Sequence, residues 1–331
     1  MANSALPRAL LGALVLALAL AVPFQVSDYN LRLMNLALQS AIAAIGLCVA
    51  FGWAGLLHLG QAAFIGIGAY ATAILATRLG WNFWLTMPFA VVVSGLAALV
   101  IAVPMLRLRG HYLALAVLGF NVTFEIVARN WTPVTGGFDG IAAIPAVSIL
   151  GRELEGDVQY YYLTLGFTLV VALLAAALRA SRYGRAMIAV RDDELAAGTS
   201  TVLVFRLKVL AFVIASMCAG LSGALYAHHA TYIAPQDFEF VRSVTILVML
   251  ILGGETSIIG AILGAILLTF APEWLRFVGD AYLAVFGAGV LVVLILLPTG
   301  LMGLGRRLAA RRATRGARGS ARGSAQGGAH A

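Results

Sequence analysis

The chain has 331 residues, 62% hydrophobic and only 11% charged, where a soluble domain carries about 25% charged residues. That balance, with a mean hydropathy of +0.96, excludes an ordinary soluble globule. The formal charge of +8 is concentrated near the C-terminus, which argues against nucleic-acid binding. Cys48 and Cys218 lie in apolar runs without CxxC spacing, and the five histidines show no HExxH. Disulfide frameworks and zinc sites are therefore not indicated.

Long uncharged runs reach the roughly 20 residues an α-helix needs to cross a bilayer. Backbone groups in lipid must pair within their own segment, so helices follow. The sequence predicts an all-α polytopic membrane protein with about ten transmembrane helices, some short or broken. They fall at 8–26, 33–53, 59–78, 84–106, 112–129, 158–180, 209–229, 243–254, 257–272 and 281–298. The run LLGALVLALALAVP also suits a signal-peptide core, but no clear small-x-small cleavage site follows. Residues 1–30 are read as a first transmembrane helix or uncleaved signal-anchor, and both termini as cytoplasmic.

Gly52–Tyr70 is dense in glycine, which lets helices approach closely and makes helix breaks inexpensive. His58 and Gln61 sit at a helix start there, with Gly66 and Gly68 beyond. The stretch reads either as tight packing with a capped helix end or as part of a translocation path. Glu125 is the one acidic residue well inside a span, with Arg129 four residues on. That pair either snorkels to the surface or serves the path. The loop 130–159, with Trp131 and Thr135-Gly136-Gly137-Phe138-Asp139-Gly140, is either a plain connection or a docking surface for an external protein.

A polar island, Ser181–Lys208, interrupts the apolar pattern with Arg182, Arg185, Arg191, Asp192, Asp193, Glu194, Arg206 and Lys208. Residues 185–197 are good helix formers and end at Gly198-Thr199-Ser200, a stop signal. Met187, Ile188, Val190 and Leu195 share an arc of roughly 160° on a helical wheel. Such a helix either fits a groove on a partner or lies on the lipid interface. Lys208 is the only lysine and follows Val204-Phe205-Arg206-Leu207, so the chain has no GxxxxGK[ST] phosphate loop. ATP-driven action would need another subunit to bind the nucleotide.

Further on, Gly253-Gly254-Glu255-Thr256 breaks the pair 243–254 and 257–272, a bent or re-entrant unit, and Gly260 and Gly264 form a GxxxG packing face. The tail 306–331 is Arg, Ala, Gly and Ser and is predicted to be disordered and basic. A basic segment beside a span attracts anionic membrane lipid. With cytoplasmic termini, Arg8, Arg107, Arg109, the island with Arg179, and the tail place 16 of the 22 basic residues inside. The island then faces the cytoplasm.

Several stretches together resemble the inner-membrane permease of branched-chain amino acid ABC transporters, of the M type. They are Gly52–Tyr70, Leu106–Leu115, Asn130-Trp131-Thr132 with Thr135-Gly136-Gly137, Tyr183–Ala197, Ala219–Tyr226, Gly253-Gly254 with Gly260, and Pro298-Thr299-Gly300-Leu301. The resemblance covers about 30–305, in family order and spacing. It implies a permease domain over 31–305 in a bacterial inner membrane, importing a branched-chain or related small hydrophobic amino acid by alternating access. Partners implied are a homologous second permease, two cytoplasmic ABC ATPase subunits and a periplasmic or extracellular substrate-binding protein. The chain would be no enzyme, would carry no cofactor or metal, and would leave ATP hydrolysis to its partners. Gly184, Arg185, Asp192, Asp193, Glu194, Ala196 and Ala197 would form the ATPase-coupling loop within 181–208. Related permeases import urea, short amides or aromatic compounds. A self-contained ion-coupled carrier or channel is the reading of another class, and it calls for more intramembrane charge than Glu125. Departures from the pattern are Gly198 and Thr201, and Glu255 and Thr256 where an apolar residue and a second glycine are usual.

Overall fold

A computed structural model describes residues 19–108, 111–149, 152–153, 156–200, 203–275 and 287. Most of the predicted first helix, the span 281–298 apart from residue 287, the tail 306–331, and Arg109, Gly110, Thr201 and the Pro298–Leu301 motif lie outside the described residues.

Helix α1 (Asp28–Leu47) continues as a π-helical segment (Cys48–Trp53). The chain then unwinds before α2 (Gln61–Leu79) and α3 (Phe83–Met105). Next come α4 (His111–Asn130), α5 (Asp157–Ala180), two surface helices α6 (Arg182–Asp192) and α7 (Glu194–Thr199), and the 27-residue α8 (Val204–Ala230). A hairpin of shorter helices, α9 (Phe240–Gly253) and α10 (Ile258–Trp274), completes the described chain. Among the described residues β-structure is limited to a two-residue antiparallel pairing of Ser148–Ile149 with Arg152–Glu153 and an isolated bridge between Ile141 and Ile233. Eight of the ten predicted segments meet these helices. Among the described residues six helices are long and apolar enough to cross a membrane, and α9 and α10 are shorter.

Local chemistry explains several ends. The Asn82 side chain accepts from the Leu85 N–H at 3.3 Å and opens α3, while Gly80 closes α2 in the left-handed region, φ 65°. Ser257 accepts from the Gly260 N–H at 3.1 Å and opens α10. In the α9–α10 hairpin Gly253 lies against Gly260, and Gly264 against the Met249 carbonyl. The GxxxG face is therefore a packing face, and the predicted break at 253–256 is a tight turn.

Helix α8 is the centre of the bundle and packs on α1, α2 and α3. Its Ala211, Ala215, Ala219, Ala224 and Ala227 are fully buried. Lipid tails are as apolar as leucine, so helix association here rests on close van der Waals fit, for which small residues are suited. Large side chains point the other way: Leu96 and Val100 on α3, Leu115 and Ile126 on α4, and Leu173 and Leu174 on α5 are exposed. Cys48 and Cys218 are free thiols, the first buried and the second partly so.

The connections fall at two ends. Residues 54–60, 106–108, the island and the turn 254–257 share one end, where Arg191 bonds to Gly52 and Glu255. The loop after α4 and the turns 231–239 share the other, joined by the Ile141–Ile233 bridge and by Arg78 donating to the Pro133 and Val134 carbonyls.

Candidate functional site: a buried helix start and a surface island

The unwound stretch after Trp53 delivers the first turn of α2 into the interior. Gln61 is fully buried and His58 almost so. The His58 ring stacks on Phe212 at 4.1 Å, meets Phe64 edge-on at 5.4 Å, and its Nε2 lies 3.1 Å from the Ser216 hydroxyl. A helix start leaves N–H groups without intrahelical partners. Here the Ala62 N–H donates to Ser243 Oγ at 2.8 Å and the Ala63 N–H to Asn121 Oδ1 at 3.0 Å. Ser243 in turn donates to Asn121 Oδ1 at 3.3 Å. These caps come from α9 and α4, and Asn121 and Ser243 escaped sequence reasoning. Their signal was there: a polar residue with no surface to reach within an apolar helix. Among the described residues both side-chain amide atoms of Gln61, Asn121 Nδ2 and His58 Nδ1 have no partner, so the start of α2 holds uncommitted hydrogen-bonding capacity in a buried setting.

Of the other path candidates, Gly66 faces Phe124 and Phe238, and Gly68 faces the Gly220 backbone. Glu125 sits apart, at the far end. It pairs with Arg129 at 2.8 Å, and Arg129 also reaches Glu239 at 2.9 Å. His228 and His229, in the last turn of α8, stitch that same end. His228 Nδ1 donates to the Pro145 carbonyl at 2.7 Å. Gln39 donates to His229 Nδ1 at 3.3 Å, leaving Nε2 to donate to Asp157 at 3.1 Å. Among the described residues no group of His, Cys, Asp and Glu is arranged to hold a metal.

The island is two helices rather than the single one predicted over 185–197. Asp193 adopts an extended conformation (φ −154°, ψ 106°), and its carboxylate accepts from the Leu195 and Ala196 N–H groups at 2.9 and 3.0 Å. An aspartate mid-helix competes for backbone donors in this way, and here the competition ends one helix and caps the next. The break divides the apolar arc. Met187 and Val190 are buried, whereas Leu195 is turned out and 83% exposed.

The seven coupling candidates consequently do different things. Gly184 packs on the last turn of α5 and donates to the Ser181 hydroxyl at 3.3 Å. Arg185 caps that turn by donating to the Ala180 carbonyl at 2.6 Å. Glu194 pairs with Lys208 at 2.6 Å, and Ala197 is buried. Asp192 and Ala196, with Leu195, face outward. Beside them an open cleft of about 920 Å³ is lined by Leu57, Arg107, Leu108, Glu194, Leu195, Phe205 and Lys208. Such a cleft offers charge of both signs beside exposed apolar side chains.

A bundle of membrane-length helices with a broken, buried helix start and a charged surface island has the build of a multi-pass membrane permease. The sequence matches the family described as branched-chain amino acid transport system / permease component over residues 29–297, and the chain belongs to that family. It is 34% identical to the high-affinity branched-chain amino acid transport system permease protein LivM of Salmonella typhimurium, over 88% of this chain and 74% of that protein. The figures are the same for LivM of Escherichia coli K12. To LivH of Salmonella typhimurium, also a permease protein of that system, it is 24% identical over 80% of this chain and 91% of LivH. No solved structure matches.

Proposed function

We propose that this chain is the translocating subunit of an ATP-driven importer for branched-chain amino acids, seated in a bacterial inner membrane with both termini and the island in the cytoplasm. The observation that carries the reading is the 34% identity with LivM across 88% of the chain. In this reading the chain pairs with a homologous permease, and its likeness to LivH supports a partner of the same build. Two cytoplasmic ATPase subunits hydrolyse ATP and meet the island at Asp192, Leu195 and Ala196. The buried start of α2, with His58, Gln61 and Asn121, lies beside the path. Alternating access moves the cargo, delivered by an external binding protein, past that start.

Purification tests the reading. The chain should co-purify with ATPase subunits, and uptake should require ATP. A stable transporter active without them would sink the ATP-driven reading. The ligand held by the cognate binding protein tests the substrate separately. Leucine, isoleucine and valine should compete with one another, whereas capture of urea, amides or aromatic compounds alone would overturn the substrate and leave the fold untouched.

Two further outcomes are expected. Glu125→Gln should leave uptake within about twofold of normal, since the amide oxygen can still accept from Arg129 and Arg129 keeps Glu239. Loss of transport in that variant would favour an ion-coupled carrier. At the far end Trp131 and Phe138 are exposed by 55% and 63%. Exposed aromatic side chains are frequent anchors of interfaces, so Trp131→Ala with Phe138→Ala should raise the binding-protein concentration for half-maximal uptake about tenfold. An unchanged value would remove these residues from the docking surface.

A further inference from the structure

Arg191 joins three segments that are remote in the chain. It lies in the last turn of α6. Its Nη1 donates to the carbonyl of Gly52 in the π-helical segment, and its Nη2 pairs with Glu255 in the turn between α9 and α10. The backbone closes the junction around it. Gly52 lies so close to the Glu255 carbonyl that a side chain there would clash, and the Trp53 indole donates to the Thr256 carbonyl at 3.3 Å. Gly55, at φ 69°, rests on the aliphatic part of Arg191. Three interruptions of regular helix meet at one guanidinium: the unwinding after Trp53, the turn after Gly253 and the break at Asp193.

Glu255 gives this junction its direction, because its carboxylate is held by Arg191. Apolar contacts slide, whereas a guanidinium bonded to a carbonyl on one side and a carboxylate on the other fixes distance and orientation together. A link of that kind carries a displacement of α6 to two helix ends at once.

We propose that Arg191 is a positioning residue that transmits motion of the surface helices α6 and α7 to the helix ends at Trp53 and Gly253, its pairing with Glu255 staying intact through the transport cycle. The proposal rests on the reading of the island as the ATPase contact. Both ends of the link are partly covered, Arg191 27% and Glu255 38% exposed at the side chain, so the pair is shielded yet not locked in a core.

The test uses the assembled importer in proteoliposomes and reads ATP hydrolysed per amino acid imported. Arg191→Ala should raise that ratio about tenfold, within the usual range of coupling between distant sites. Arg191→Lys, which restores a cation, should recover most of it. Glu255→Leu, which keeps the bond to Gly52, should fall between. Should Arg191→Ala fail to insert, Glu255→Leu and a tethered pair decide the matter. In the tethered pair, Arg191→Cys and Glu255→Cys are joined by a flexible bismaleimide, and coupled uptake should survive. Arrest of uptake by the tether would show that the pair must open and would overturn the proposal. An unchanged ratio in Arg191→Ala, or equal losses of hydrolysis and uptake, would overturn it as well. Uptake by the unaltered protein without any ATPase would instead sink the coupling reading itself. The yield of the 191–255 tether in membranes reports the junction independently of ATP.

Discussion

Gly68→Leu is expected to leave no folded transporter in the membrane. A Cβ at Gly68 would enter the backbone of Gly220 on α8, and backbone cannot move aside as a flexible side chain can. Overpacking a core costs about 1–3 kcal/mol when neighbours yield, and more when they do not, against a total stability of roughly 5–15 kcal/mol. The loss also falls on the central seam, where α8 meets α2. Gly166→Leu on α5 is the matched comparison, because nothing lies within 4 Å of a Cβ built there. It should reach the membrane and resist protease as the unaltered protein does. Gly→Leu favours helix at both sites, so equal damage from both would mean that added bulk anywhere in the bundle, and not the α2–α8 approach, sets the outcome.

The second large effect is expected at the break in the island. Asp193→Lys with Glu194→Lys should cut amino acid uptake by at least about tenfold while the protein still inserts and the ATPase subunits still turn over. Asp193 would lose its two N–H acceptor contacts, and a cation would stand beside Lys208 where Glu194 now pairs with it. Removing a helix cap is worth about 1 kcal/mol, too little to unfold the bundle. Asp193→Asn separates charge from capping, since an asparagine oxygen caps as well as a carboxylate, and should transport nearly normally. Unchanged uptake in the double lysine variant would mean that the island is not the contact.

Much of the bundle was legible because bilayer length and apolar runs are properties of contiguous sequence. The helix starts at Gln61, Phe83 and Asp157 lie within two residues of their expected places, whereas α1 begins at Asp28, five residues before the expected 33. The glycines at 260 and 264 were read correctly as packing, since spacing along one helix is also local. The division of the island was not legible. Asp193 sits among good helix formers, and whether its carboxylate faces water or claims two N–H groups is settled by how the chain must turn back toward α8. That local choice reversed Leu195 from the apolar arc to an 83% exposed position. On a helical wheel Arg191 falls inside the arc of Met187, Ile188, Val190 and Leu195. Its partners are 139 and 64 residues away, and no periodicity encodes such pairing. The start of α2 was seen through His58 and Gln61, but its caps, Asn121 and Ser243, come from other helices.

The π-helical segment Cys48–Trp53 has a consequence of its own. Its bonds run from the Ala54 N–H back to the Val49 carbonyl at 3.3 Å and from the Leu56 N–H back to the Ala50 carbonyl at 2.9 Å, five and six residues behind. An α-helix would close each loop four residues behind. The segment thus holds surplus chain, wound in without being extended. Every residue an α-helix gains or sheds turns what lies beyond it by about 100°. If that surplus residue were released, the indole of Trp53 would be re-aimed as a crank is turned, with no peptide added to the connection before Gln61.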